Sequence, residues 1–285
     1  MSKPLDFVSI ARETTGDAIR IGASTWPWML AYCAVAVLAV SYSSGGNVWT
    51  FLGMQGFVLI AACAWGAMMY RRLLDHPPEK IAGRTAKLFG ATLLVYLLIG
   101  LVAFIVGLAL AIVSGVLIAA SGFDPSAGEA ADVEGSIAAL RASGAIWIIY
   151  LLGTCCISLL IWFSLRLYLY GVATVARGRV LVFQTWGLTE GHVLSIGLLC
   201  IGAVLLPLLA AGFASELTAR QMDVPSRWSL PNTAIAGAAE LAQPAIREIA
   251  IHGLLAVLYH IPAILLGHSL AAALFRHLGD NAVFE

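Results

Sequence analysis

The run from Leu88 to Ser121, LFGATLLVYLLIGLVAFIVGLALAIVSGVLIAAS, decides the fold. No charged residue falls between Lys87 and Asp124. As a helix rising 1.5 Å per residue the run reaches about 51 Å, well beyond the roughly 30 Å hydrocarbon core of a bilayer. It therefore reads either as one tilted or projecting helix or as a re-entrant pair. Its small residues favour one helix. Gly100, Ala103, Gly107, Ala111 and Ser114 recur every three or four positions, Ile118 interrupts them, and the series resumes at Ser121 and Gly122. Such a stripe lets a second helix approach closely. Packing inside the chain's own bundle is the expectation, with a homodimer seam as the alternative.

Working outward, the whole chain obeys the same solvent. Of 285 residues 60% are hydrophobic and 11% charged, against about 25% charged in an ordinary globular chain. So few charges cannot cover a surface in water, and the composition predicts a polytopic membrane protein. Five further runs are long enough to span: 23–43, 50–70, 145–165, 193–214 and 249–275, with 88–121 third in chain order. They are continuous rather than alternating, which predicts helices and not a barrel. The expected fold is all-α, a single transmembrane domain over 1–285. It comprises six spanning helices and an N-terminal amphipathic helix at 1–22. Net charge is zero, so no basic excess is available for a phosphate backbone, and nucleic acid is not an expected partner.

The loops orient the chain. Counting from the N-terminal side, 12 of the 16 Lys and Arg residues fall on that side. The positive-inside rule then places both termini in the cytoplasm. In residues 5–21, Phe7, Ile10, Ala11, Thr14, Ala18 and Ile21 share one helical face. Asp6, Ser9, Arg12, Glu13, Asp17 and Arg20 take the other. This segment is expected to lie in the membrane interface and lead into span one, not to be a cleaved signal. Trp26, Trp28, Trp49, Trp147 and Tyr70 sit near span ends and read as interfacial anchors. Cys33, Cys63, Cys155, Cys156 and Cys200 lie in apolar runs without metal spacing and read as small buried residues. Two outer loops, 122–144 and 215–248, are too short for catalytic domains, and the Ala-rich 234–243 is a candidate short helix. Spans two and six end alike, in Gly66–Asp75 and Ala271–Asp280, and span four ends on Arg166. Three helical-hairpin repeats and chance similarity both account for this.

The most distinctive polar segment follows span four: Arg166, Arg177-Gly178, then Trp186-Gly-Leu-Thr-Glu-Gly-His192. It reads as an interfacial elbow that turns through Gly187 and Gly191 into span five, with Thr189 capping the next helix and Trp186 at headgroup level. Its alternative reading is a site for a lipid headgroup or a partner. Arg71, Arg166, Arg177, Trp186, Thr189, His192 and Arg276 are the candidate lipid- or partner-binding residues. The arginine-rich exit, Arg-Gly and Trp-x-Leu-Thr-x-Gly over residues 160–200 resemble bacterial multi-helix membrane proteins. These are grouped around the membrane domain found beside some glycerophosphodiester phosphodiesterases. Glu190 departs from the pattern, in which a basic residue often follows the Thr. The catalytic domain has no counterpart in this chain, so the resemblance implies a membrane fold rather than a hydrolase, and a bacterial inner membrane as the location.

In span six, His252, His260 and His268 are eight residues apart, which turns each about 80° from the last, so they do not make a one-face metal site. His260 falls nearest the midplane, two residues before Pro262, with Tyr259 beside it. An ionisable group there is a functional hypothesis by default. Pro262 and Pro207 each free a carbonyl, and two kinked neighbours would open a polar cavity toward His260. Its plainer reading is a neutral histidine bonded across helices. HExxH, GxSxG and Walker patterns are missing, and the acids map to loops and interfaces. No cofactor or metal is expected. The reading is a non-enzymatic scaffold or accessory subunit binding membrane lipids, a membrane-protein partner or a second copy. A transporter of a small or amphipathic solute is the alternative, and an intramembrane lipid enzyme the least favoured.

Overall fold

The computed structural model describes residues 5–43, 48–75, 81–121, 133–222, 224 and 246–279. The outer-loop acids Asp124, Glu129 and Asp132 and the Ala-rich 234–243 lie outside them. Every regular element among the described residues is helical: α1 (Phe7–Ser43), α2 (Val48–Leu73), α3 (Ile81–Ala120), α4 (Val133–Ala142), α5 (Ile146–Leu167), α6 (Tyr170–Arg177), α7 (Thr185–Leu188), α8 (Val193–Cys200), α9 (Leu206–Gln221) and α10 (Ile246–Gly279). A π-helical turn at Ile201–Leu205 joins α8 to α9. Six helical segments are long and apolar enough to cross a membrane, and they coincide with the six runs read from the sequence. The run from Leu88 is one helix, since α3 continues unbroken to Ala120.

The chain divides into two compact units. One holds the residues up to Thr92 and from Tyr168 onward; the other is Leu93–Leu167. In the first unit α10 is the central strut. It packs along α1 and α9, and α1 packs on α2. Small residues permit this. Ala263, Ala271, Ala272 and Ala273 of α10 are buried, as are Ala18, Ala36 and Ala39 of α1. A Cβ on Gly22 would lie 3.1 Å from Leu265 Cδ1, so α1 and α10 meet closely enough that a methyl there would push the leucine aside. Between apolar helices in lipid, such close packing and a few hydrogen bonds replace the hydrophobic drive of water. One such bond is buried: the Trp65 Nε1–H of α2 donates to Thr25 Oγ1 of α1 at 3.0 Å, and that hydroxyl donates to the Ile21 carbonyl at 2.7 Å.

The amphipathic segment packs on protein over part of its apolar face, while Phe7 and Ala11 of that face are exposed. It is the continuous start of α1, and Ile10, Thr14, Ala18 and Ile21 are buried inside the chain. Its apolar face meets protein because α10 runs alongside it. Asp17, expected on the polar face, is buried as well. Tyr70 is also not an interfacial anchor; it is 7% exposed, packed inside unit one, whereas Trp26, Trp28, Trp49 and Trp147 are exposed. All five cysteines are free; Cys33 and Cys63 are buried as expected, but Cys155 is exposed.

The second unit comprises the outer part of α3 with α4 and α5. Within this unit the small-residue stripe meets no described residue at its glycines, for a Cβ on Gly100 or Gly107 would have nothing within 4 Å. Close approach needs a facing helix, and α4 and α5 supply none at these two positions.

Candidate functional site

The elbow is built from the buried side outward. In α6, Gly171 through Val175 are buried, and the helix ends where Gly178 adopts φ 63°, ψ 26°. A left-handed residue of this kind is the usual glycine stop. Two contacts brace the turn from behind. Thr174 Oγ1 accepts from the Leu181 amide at 3.2 Å, and Lys87 Nζ of α3 donates to the Gly178 carbonyl at 2.5 Å. Leu181 and Val182 are buried, while Val180 is 46% and Phe183 61% exposed. Arg177 and Arg179 flank Gly178 and are exposed. A braced turn thus presents two guanidinium side chains beside two apolar ones, the mixture that suits a headgroup boundary.

The rest of the elbow corrects two details. Gly187 is helical within α7 and makes no turn; the second reversal is at Gly191, φ 75°. Thr189 does not cap α8. Its hydroxyl donates to the Trp186 carbonyl at 3.1 Å and lies 3.3 Å from that of Thr185, closing α7 instead. The N-cap position of α8 is His192, with no side-chain cap bond. Thr189 is wholly buried and His192 nearly so, whereas Trp186 is half-buried. So Arg177, Trp186, Thr189 and His192 share one segment, and of these Arg177 and Trp186 reach its surface. Arg166 belongs to the second unit, where its guanidinium lies 5.5 Å from the centre of the Trp162 ring. Arg71 reaches Met68 Sδ at 3.8 Å in the last turn of α2.

Arg276 is turned inward. Its Nε donates to Glu13 Oε1 at 2.7 Å, its Nη2 to Asp17 Oδ2 at 2.5 Å, and its Nη1 to the Leu73 carbonyl at 3.0 Å. His277 Nε2 lies 3.0 Å from Glu13 Oε2, and Arg20 pairs with Asp17 Oδ1 at 2.9 Å. One planar fork therefore ties α1, α2 and α10 together, a geometry that guanidinium supplies and ammonium does not. It also supplies a donor to the last turn of α2, where carbonyls lack helical partners.

In the interior, His260 hydrogen-bonds through Nδ1 to the Ala256 carbonyl of its own helix. Tyr259 shares a hydrogen bond of 2.8 Å with Thr218 of α9. Span six does not break at Pro262, since α10 continues through it. The π turn falls just before Pro207 and packs against α10. The larger polar cluster lies one repeat further on, at His268. Its ring is 5.0 Å from that of Tyr70, and its Nδ1 is 2.9 Å from the Ile264 carbonyl. Glycines make the room: a Cβ on Gly66 would lie 3.2 Å from His268 Nε2, and one on Gly171 would lie 3.2 Å from the Tyr70 ring. Nearby, Tyr168 donates to the Gly267 carbonyl at 2.8 Å, and Thr92 and Tyr170 share a bond of 3.1 Å. Periodicity on one helix could not single out His268, because its ring partner, Tyr70, comes from α2. Among the described residues no group of three or more His, Cys, Asp or Glu residues could hold a metal ion.

Compared with protein-family models, with curated proteins and with solved structures, the chain has no match.

Proposed function

We propose that this multi-pass membrane protein is a non-enzymatic scaffold or accessory subunit, which binds a protein partner or lipid at the elbow of residues 170–192. One observation carries the reading: the turn is braced on its inner side by Thr174 and Lys87 while Arg177, Arg179, Val180 and Phe183 are exposed. A surface fixed before binding loses little entropy on binding. The charge bias of the loops supports a cytoplasmic elbow and termini, and the resemblance of residues 160–200 supports a bacterial inner membrane. The test places a photo-crosslinking amino acid at position 183 in native membranes. A stoichiometric protein or lipid adduct is expected. Recovery of the chain alone, with no adduct, counts against the reading.

A second reading, a transporter of a small or amphipathic solute, is favoured by the π turn at Ile201–Leu205 packed on α10 near the proline of each helix. Such turns are frequent at functional sites. The His268–Tyr70 cluster supplies polar groups in the same unit. Solute flux into proteoliposomes that falls in His268→Gln and persists in Phe183→Ala supports this reading over the first.

A further inference from the structure

We propose that the first turns of α3 and the α6–α7 turn form a binding site for a phosphate group, with Arg84, Lys87 and Arg179 as its cationic ligands. The proposal rests on the elbow being a binding surface, and it names what the elbow takes.

Leu88, Ala91 and Thr92 are the buried residues of α3 within unit one. Leu88 reaches both α2 and α6, its two methyls lying 3.6 Å and 3.5 Å from where a Cβ on Gly66 and on Gly171 would sit. Arg84 lies one turn before Leu88. At 100° per residue, 84, 88, 91 and 92 fall within an arc of about 100°. Arg84 therefore continues the packed stripe by one turn, and it is half-buried.

That placement has a cost the chain does not cover. Nη1 of Arg84 is buried and has no hydrogen-bond partner. A buried charged donor left unmade is unfavourable, and native interiors satisfy such groups with protein, water or an ion. Three residues on, Lys87 sits on the neighbouring face and donates one of its three protons to the Gly178 carbonyl. That bond carries its ammonium to the turn between Arg177 and Arg179. Among the described residues no ion pair neutralises Arg84, Lys87 or Arg179. The site thus gathers positive charge with an unmet N–H, and no described acid pairs with it.

A phosphate fits this set. A guanidinium offers parallel N–H donors to two phosphate oxygens, and an ammonium adds a point charge. The phosphate can come from an anionic lipid headgroup or from a free phosphate. Exposed Val180 and Phe183 would lie against the acyl chains of the former.

The test titrates the full-length protein, purified lipid-free in neutral detergent, with phosphatidylglycerol or phosphatidylcholine and counts bound lipid by native mass spectrometry. Inorganic phosphate is added in a parallel series read by thermal stability. Phosphatidylglycerol is expected to bind about tenfold tighter than phosphatidylcholine, with Arg84→Gln and Lys87→Gln each removing most of that preference. If inorganic phosphate stabilises the protein and displaces the lipid, free phosphate is the ligand; if it does neither, the lipid is. Equal binding of both lipids with no effect of inorganic phosphate overturns the proposal. So does an unchanged preference in Arg84→Gln. Arg84→Met guards against a structural role: in lipid-free detergent it is expected to melt no lower than wild type, since it removes the buried, unmet Nη1 donor and keeps the apolar stem. A lower melting point there overturns the proposal. The crosslinking test at position 183 is read separately. A partner protein still captured by Arg84→Gln that has lost its lipid preference keeps the scaffold reading. A chain that binds phosphatidylglycerol but crosslinks to nothing sinks that reading alone.

Discussion

Arg276→Met tests what holds the first unit together. The substitution keeps the bulk of the side chain and removes three donated bonds, to Glu13, Asp17 and the Leu73 carbonyl. Removing one partner of a buried ion pair costs roughly 3–5 kcal/mol, chiefly because the other charge stays behind unmatched. Here Asp17 is the more buried acid, its side chain only 11% exposed and left with Arg20 alone, while the side chains of Arg276 and Glu13 are each 31% exposed. Water reaches the Glu13 half, so the lower bound applies, about 3 kcal/mol. At the shallow end of roughly 2–4 °C per kcal/mol for large domains, the melting point should fall by about 6 °C. Arg276→Lys should lose about half as much, because an ammonium cannot hold two carboxylates and a carbonyl in one plane. The assay is thermal unfolding of the detergent-purified protein, run as a cycle with Asp17→Asn. The double variant should recover about 2 kcal/mol relative to additivity, since Asp17→Asn neutralises the acid that Arg276→Met leaves with Arg20 alone. A melting point for Arg276→Met within about 1 °C of wild type would refute the reasoning, as would strict additivity in the cycle.

Three further outcomes can be measured in the same melts. Gly178→Ala forces a side chain into the left-handed region at φ 63° and should cost about 1 kcal/mol, whereas Gly187→Ala, helical and with open space around it, should be neutral or slightly stabilising. Gly66→Ala gains helix propensity but meets His268 Nε2 at 3.2 Å, where the ring is held by the Ile264 carbonyl; overpacking should win, for a net loss of about 1 kcal/mol. Tyr168→Phe deletes the 2.8 Å bond to the Gly267 carbonyl and should lower stability by about 0.6 kcal/mol, the usual worth of an interhelical hydrogen bond in a membrane bundle; no change would mean that the carbonyl finds another donor.

How much of this was readable from the chain follows from the range of each interaction. A spanning helix is a local property: its length and apolarity are written in consecutive residues, so the six spans and the unbroken α3 lie where composition places them. The stop at Gly178 is local too. Partners are not. Asp17 reads as a surface acid from its own helix, and its burial depends on Arg276, 259 residues away. Tyr70 reads as an anchor because it ends a span, and it is interior because Gly66 and Gly171 make room for it and for His268. Glycines show the same limit most plainly. Gly100 and Gly107 carry the stronger pattern yet meet no described residue of their unit, while Gly22, Gly66 and Gly171, which belong to no stripe, stand at the tight contacts. A small residue is permission for close approach, and only the facing helix decides whether it is used. Arg84 escaped notice for the converse reason. In the sequence it is one more charge on a basic loop. It stands out only once Leu88 fixes which face of α3 is packed, and the guanidinium nitrogen on that face proves to be buried and unmet.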